Sequence, residues 1–145
     1  MDKTHAVIIA VIIGVCMGLQ APINACLGKY VNVKNAALHS FMTSFSLMLL
    51  VVLFTGNIKE YVNVTKASPI YLIGGVLGII IVFFSIKIVP VLGTASAFSI
   101  FVSIQLITGA LINHFGILGI DRIPITPVKI IGILFLIIGV NLVIK

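Results

Sequence analysis

Charged side chains are scarce in this sequence, and their scarcity excludes an ordinary soluble domain. Only 8% of the 145 residues are charged and 61% are hydrophobic, with 9 basic and 3 acidic residues. A soluble globular domain has about 45–50% apolar and about 25% charged residues. Too few charged groups are therefore available to cover a water-exposed surface. Disorder is excluded as well, because disordered chains are poor in hydrophobic residues.

Cysteine and tryptophan are also rare, with 2 cysteines and no tryptophan. Two cysteines without a Cys/His cluster exclude a disulfide scaffold or a zinc module, and we expect no metal or other cofactor. The basic residues are scattered singly along the chain, so the formal charge of +6 does not indicate a nucleic-acid partner. The remaining class is an integral membrane protein, whose first partner is the lipid bilayer.

Charges divide the chain into uncharged runs that are long enough to span a membrane, since about 20 helical residues cross the hydrocarbon core. A spanning segment must satisfy its own backbone hydrogen bonds, so each run is expected to be helical. We interpret the first run as a span rather than as a signal peptide. We predict an all-α integral membrane protein, a single membrane domain over residues 1–145. Its five transmembrane helices are expected near residues 5–28, 36–56, 68–88, 93–114 and 126–144, with 29–34 as the first connection.

Basic residues are divided almost evenly between the two sides that five spans define. One side has Lys3, Lys59, Lys66, Arg122 and Lys129, and the other has Lys29, Lys34, Lys87 and Lys145. Because Lys and Arg normally mark the cytoplasmic side, this division is almost no orientation signal. Two hypotheses remain open: insertion in both orientations with antiparallel pairing, or a single orientation set by a weak local preference.

The size of the chain and the spacing of its glycines bear on whether it pairs with a second copy. Five helices hardly enclose an aqueous pathway, so a second subunit would supply the other half of a transporter. Gly14 and Gly18 form a small-xxx-small pair, as do Gly74 and Gly78. Such pairs pack helices closely, either within one subunit or at a dimer seam.

No carboxylate lies in a predicted span, because Asp2, Glu60 and Asp121 fall in termini or connections. Intramembrane ionisable groups usually mark ion or proton routes, so a carboxylate-centred cation exchanger is disfavoured. Lys29 and Lys87 lie at helix ends, where lysine side chains normally reach toward the headgroups. Neutral or anionic solutes are therefore expected ahead of cations.

Uncharged polar residues of the first helix are the first candidates for binding a solute. Gln20 and Asn24 are four residues apart and share a helix face. Pro22 lies between them and frees the carbonyl of Gly18, so these two residues are expected to shape a bend. The alternative is that the two amides hold neighbouring helices together.

The fourth helix carries the second polar set. Ser99 follows helical spacing with two other serines, and Gln105 lies on another face. Serines can bond to their own helix backbone, whereas the amide of a mid-helix glutamine needs a partner in hydrocarbon. Asn113 and His114 close the helix, as solute ligands or as an interfacial anchor. No nucleophile–base constellation or phosphate loop is present, so an enzyme is not expected.

Several segments resemble the YdcZ-type branch of the drug/metabolite transporter superfamily. The segments that resemble the family in order and spacing are Gly18–Gly28 (GLQAPINACLG), Ser40-Phe41, Gly74–Gly78, Pro90–Gly93, Gln105, His114–Gly116, Gly132 and Gly139. The resemblance implies a small bacterial inner-membrane protein equivalent to half of a ten-helix transporter, working as a pair of units. Asn113 stands where the family commonly has Asp, which argues against ion coupling there. Ser44 replaces a common Gly, a change that preserves packing.

The resulting functional hypothesis is a transporter in the inner membrane. An antiparallel homodimer with dual topology would move a small polar or amphipathic solute by alternating access, with Gln20, Asn24 and Gln105 facing the solute. Two other classes stay open. One is a passive channel, and the other is an accessory or structural membrane subunit that transports nothing alone.

Overall fold

The structure is a computed structural model that describes residues 2–56 and 58–145. The helices are α1 (Lys3–Thr55), α2 (Pro69–Leu72), α3 (Gly74–Leu92), α4 (Thr94–Phe115) and α5 (Pro127–Ile144). A 3-10 helix covers Ile58–Lys66. The described ranges contain helices and connections but no strand. The chain divides after Val91 into two compact units, unit 1 up to Val91 and unit 2 from Leu92.

Four helical stretches of the described residues are long and apolar enough to cross a membrane. They are Lys3–Thr55, Pro69–Leu92, Thr94–Phe115 and Pro127–Ile144. In the most apolar 18-residue part of each stretch, only 0–17% of the residues are buried. Such exposure would be unfavourable in water, because apolar surface is driven out of water in proportion to its area. In a bilayer these side chains meet lipid, so the exposure is that of a membrane protein.

Asn32 interrupts α1 and reverses the direction of the chain. Its backbone has φ 67° and ψ 165°, outside the helical region. On a straight helix, residues 16 apart lie about 24 Å from each other. However, the side-chain amide of Asn24 donates a hydrogen bond of 3.3 Å to the hydroxyl of Ser40. The two halves of α1, residues 3–31 and 33–55, therefore fold back on each other as a helical hairpin.

Asn32 also begins the second half of the hairpin. Its Oδ1 accepts a hydrogen bond of 3.0 Å from the backbone N–H of Asn35, three residues later. This is the hydrogen bond of an N-cap residue, which satisfies an amide that would otherwise lack a partner in the first helical turn. One residue thus ends one helix and starts the next.

Small side chains allow the hairpin halves and α3 to approach closely. Four of the buried residues of α1 are alanines, namely Ala21, Ala25, Ala36 and Ala37. A Cβ added at Gly28 would lie 3.9 Å from the Cβ of Ala36 and 3.0 Å from Cγ2 of Ile86 in α3. Ile86 is 2% exposed and packs with the two alanines of the second half. The core of unit 1 is therefore small and lies near the turn.

Unit 2 is an antiparallel pair formed by α4 and α5. Ser96, in the first turn of α4, donates a hydrogen bond of 3.5 Å to the carbonyl of Val143, in the last turn of α5. The connection between the helices begins at Gly116, whose φ of 65° ends α4 in the left-handed conformation. Thr126 caps α5 by accepting from the backbone N–H of Lys129 at 3.4 Å.

Two helix limits differ from those expected from the sequence. The connection expected at 29–34 is helical apart from Asn32, and α3 continues through Pro90 to Leu92 rather than ending near residue 88. Proline lacks a backbone N–H, so it removes one helical hydrogen bond without having to end the helix. Two residues follow Pro90 before Gly93, whose φ of 79° favours glycine and separates α3 from α4.

Candidate functional site

Asn24 lies inside the unit 1 hairpin, where its side chain joins the two halves. It is 8% exposed, and its Nδ2 donates to Ser40 Oγ. The backbone carbonyl of Ser40 in turn accepts a hydrogen bond of 2.9 Å from the hydroxyl of Ser44. A buried amide needs such partners, because an unpaired polar group in an apolar environment costs free energy. At least one donor of Asn24 is thus used for packing within the subunit.

Gln20 lies one helical turn before Asn24 but in different surroundings. Its side chain is exposed, whereas Asn24 is buried. Pro22 lies within α1 between them, and the helix continues through it. Nothing in unit 1 lies within 4 Å of a Cβ added at Gly18. The two amides are one helical turn apart on α1, and of the two only that of Gln20 is exposed.

The serines of α4 hydrogen-bond to their own helix. The hydroxyl of Ser99 donates to the carbonyl of Ser96 at 2.8 Å, and that of Ser103 to the carbonyl of Ser99 at 2.7 Å. Ser99 is half-buried, while Gln105 is exposed on another face of the helix. In α4, Gln105 is therefore an exposed amide within an apolar helix, and the hydroxyls of Ser99 and Ser103 have partners in the backbone.

Asn113 and His114 attach the following connection to the end of α4. The carbonyl of Asn113 accepts from the N–H of Ile123 at 2.7 Å. The Nδ1 atom of His114 accepts from the N–H of Ile125 at 3.2 Å, and its carbonyl accepts from Nε of Arg122 at 3.1 Å. Both side chains are half-buried. The Nε2 atom of His114 is then the ring's donor in the neutral form.

An open cavity at the turn of the unit 1 hairpin was not expected from the sequence. Its volume is about 400 Å³, and it is lined by Asn32, Val33, Lys34, Phe83 and Lys87. The ammonium of Lys87 lies 4.5 Å from the centre of the Phe83 ring. The sequence predicts a connection within residues 29–34, but it does not predict the approach of α3 to the turn. The cavity therefore depends on tertiary structure.

The acidic residues lie outside the apolar helices in the described chain. Asp2 precedes α1 and caps it, since its Oδ1 accepts a hydrogen bond of 2.8 Å from the N–H of His5. This hydrogen bond from the backbone lowers the pKa of Asp2 below its ordinary value, with a further contribution from the His5 side chain. Glu60 lies in the 3-10 helix and Asp121 in the connection before α5.

The apolar helices are those of a membrane protein, and a comparison with known families agrees with that. A family model described as "Putative inner membrane exporter, YdcZ" matches residues 5–142. The chain belongs to the YdcZ family. The match runs through every helix and confirms the resemblance seen in the sequence. The chain is therefore located in the inner membrane. Neither a curated protein nor a solved structure matches the chain.

Proposed function

We propose that the chain is one half of an inner-membrane exporter that moves a small polar or amphipathic solute by alternating access. The observation that carries this proposal is the match of residues 5–142 to the family model described as "Putative inner membrane exporter, YdcZ". The family is not one of enzymes, and the sequence offers no catalytic constellation. Each subunit would cross the membrane five times and pair with an antiparallel copy.

The hairpin supports a count of five spans. A helix of 53 residues would be about 80 Å long, more than twice the roughly 30 Å hydrocarbon core. Residues 3–31 and 33–55 are each long enough to cross once, and the chain reverses between them. The stretches Pro69–Leu92, Thr94–Phe115 and Pro127–Ile144 add three more spans. With an odd number of spans, the two termini lie on opposite sides.

Pairing with a second copy is supported by the surface that one chain leaves open. Within unit 1, nothing lies within 4 Å of a Cβ added at Gly14 or Gly18. Small residues promote close packing of membrane helices, so this face can receive another helix. The even distribution of basic residues fits copies inserted in both orientations. Two inverted units of five helices give the symmetry that many transporters use.

Solute contacts are proposed at polar groups that the single chain leaves accessible. Gln20 and Gln105 are exposed in apolar helices, where an amide without a partner is unfavourable. Four other polar residues already have hydrogen bonds within the chain, and their remaining donors and acceptors are proposed as secondary contacts with the solute: Asn24, Ser99, Asn113 and His114. Gly18 and Pro22 are proposed to shape the helix. Without a carboxylate in the spans, neutral or anionic solutes are favoured.

A counterflow assay in proteoliposomes tests the proposal. Vesicles containing the purified protein are loaded in turn with a panel of unlabelled amino acids, sugars and carboxylates, and entry of the labelled compound is followed. We expect saturable counterflow for at least one compound. Gln20→Ala or Gln105→Ala should reduce the rate of counterflow about tenfold or more, because a hydrogen bond to the solute in the transition state of transport is lost. Asn141→Ala is the matched control, because the Asn141 amide donates to the Ile137 carbonyl of its own helix at 3.1 Å.

Other results identify the competing functions. Single-channel currents without counterflow would show a passive channel. Absence of both, together with stable association with an unrelated membrane protein, would show an accessory subunit. Counterflow that is unchanged by both glutamine substitutions would contradict the proposed solute contacts while leaving the transporter intact.

A further inference from the structure

The cavity at the turn of the unit 1 hairpin contains none of the proposed solute contacts. It is formed by the residues around the chain reversal at Asn32 and by one face of α3. Cavities that bind small molecules measure roughly 300–1,000 Å³, and this one measures about 400 Å³. It is therefore large enough for a charged group together with part of the molecule that carries it.

Two of the five lining residues are cationic, and none is acidic. Lys34 comes from the start of the second half of α1, and Lys87 from α3. In the described part of the chain the ion pair is that of His5 with Asp2, at the far end of the first half of α1. Lys34 and Lys87 therefore bring two positive charges to one cavity without a carboxylate. Two like charges repel each other, whereas an anion bound beside both is attracted to each of them.

Aromatic rings hold the ammonium of Lys87 near the cavity. Its Nζ lies 4.5 Å from the centre of the Phe83 ring and 5.9 Å from that of Phe84. A cation–π contact stabilises the ammonium but neither neutralises its charge nor occupies all of its three N–H donors. Phe83 itself lines the cavity, so the contact places the cation at the cavity wall.

The remaining polar groups of the cavity are also suited to an anion. The Oδ1 atom of Asn32 is occupied by the N–H of Asn35, which leaves the Nδ2 atom as a donor. The second half of α1 begins here, and the N-terminal end of a helix carries a partial positive charge. This helix end alone would not make a site, but it adds to the potential of the two lysines.

We propose that this cavity binds a phosphate group, carried either by a phospholipid or by a free solute. Lys34 and Lys87 would contact the phosphate oxygens, and Phe83 would hold Lys87 in place. The turn lies at the end of two spans, where lysine side chains reach the headgroup level of a bilayer. The proposal does not depend on transport, since it concerns equilibrium binding at a different part of unit 1.

Two probes distinguish the sources of the phosphate. Inorganic phosphate is titrated into the purified full chain in phosphate-free, uncharged detergent, and binding is followed by calorimetry. Separately, the protein is extracted from nanodiscs of phosphatidylglycerol, and the lipids that stay bound are counted by native mass spectrometry. Binding of inorganic phosphate supports a free solute. Retained phosphatidylglycerol without phosphate binding supports a lipid headgroup.

Substitutions assign the binding to the cavity. We expect Lys34→Gln and Lys87→Gln each to weaken binding of the effective probe about tenfold or more, the effect of losing a charged hydrogen bond. Lys87→Arg keeps the charge and should retain binding. Lys29→Gln is the matched control, because it removes the same charge five residues from Lys34 but from outside the cavity lining.

Two results would overturn the proposal. One is a wild-type chain that binds neither probe. The other is an equal loss of binding in Lys29→Gln and in the two cavity variants, which would mean a diffuse attraction to net charge. Helix content by circular dichroism is measured for every variant, and Lys87→Arg, which keeps a positive charge at this position, separates lost binding from lost folding.

Discussion

At the scale of single residues, Asn32 has two roles that oppose each other energetically. Its φ of 67° with ψ of 165° is a combination that glycine normally adopts, and a non-glycine residue there costs on the order of 1–3 kcal/mol. Its side chain caps the second half of α1 by accepting from Asn35, which contributes about 1 kcal/mol. Asparagine tolerates positive φ better than most residues, so one side chain serves the turn and the cap.

Substitutions at this position should separate the two roles. Asn32→Ala removes the cap and keeps the unfavourable backbone, so we expect a loss of about 1–2 kcal/mol in the free energy of unfolding. Asn32→Gly removes the cap but relieves the backbone, and should lie within about 0.5 kcal/mol of the wild type. Thermal unfolding in detergent, followed by circular dichroism, measures both. Equal stability of the alanine and glycine variants would contradict the backbone argument.

A pH dependence is expected at Asp2, the cap of α1. The backbone N–H of His5 lowers the pKa of this carboxyl in the folded chain. The cap is therefore fully present above the unfolded-state pKa and is lost as pH falls through the lower folded-state pKa. Protection of the first-turn amides from hydrogen exchange, taken relative to the intrinsic exchange rate at each pH, should fall over that acidic range. The protection should stay constant in the Asp2→Asn chain, and a fall of the same size in that variant would assign the effect to another group.

At the scale of helices, the unit 1 hairpin depends on side chains that are small rather than on many contacts. Ala36 is 0% exposed and Gly28 lies against Ile86, so little space is left between the three helical segments. Dispersion forces replace the hydrophobic effect inside a membrane, and they require close approach. The stability of the hairpin is therefore sensitive to added volume.

Gly28→Ala should destabilise unit 1. The added Cβ would lie 3.0 Å from Cγ2 of Ile86, a β-branched side chain with little freedom to move. Overpacking of this kind costs about 1–3 kcal/mol and should lower the unfolding temperature in detergent. Gly109→Ala is the control, since nothing lies within 4 Å of a Cβ there. A helix gains up to about 1 kcal/mol from such a change, so the control should be as stable as the wild type or more so.

Charge-free runs in the sequence were enough to predict that the chain is helical and embedded in a membrane. They were enough because the length of a span and the exclusion of charge are properties of each segment alone. The reversal at Asn32 falls inside the connection expected at 29–34, although the sequence does not indicate that a single residue makes the turn. Proline was a weaker guide, because α3 continues through Pro90.

Parts of the candidate site could not be predicted for a physical reason. The partner of Asn24 is 16 residues away, and only the fold-back of the hairpin brings Ser40 to it. The same holds for Lys34 and Lys87, which the sequence places on one side of the membrane but 53 residues apart, and which only the tertiary structure brings to one cavity. Helical spacing does place Gln20 and Asn24 on one face. Which of the two amides is buried depends on the neighbouring helix.

At the scale of the whole molecule, the distribution of basic residues leads to a prediction about orientation. With the five spans proposed above and almost equal charge on both sides, we expect C-terminal fusions to report both locations: alkaline phosphatase active outside and green fluorescent protein fluorescent inside. Ser68 has no side-chain hydrogen bond as the cap of α2, so it can be changed without losing one. Ser68→Lys adds a charge to the side of Lys59 and Lys66.

Ser68→Lys should draw that side to the cytoplasm and place the C-terminus outside, since positive charges are retained inside. Phosphatase activity should rise and fluorescence should fall. Ser68→Gln has a side chain of similar length without the charge and should leave the ratio unchanged. A ratio that is the same in both variants would contradict dual insertion.

The one-residue turn of the hairpin bears on how the chain enters the membrane. A turn formed by Asn32 alone leaves few backbone amides and carbonyls without a partner, and its own side chain satisfies one of them. Passing such a tip through hydrocarbon costs less than passing a loop of several unpaired residues. The main barrier to insertion is then the charge of the flanking lysines. In one orientation these lysines must cross the hydrocarbon, and in the other they remain on the side where the chain is made. A modest electrostatic preference, rather than the free energy of translocating a long loop, would decide the orientation in which each copy inserts.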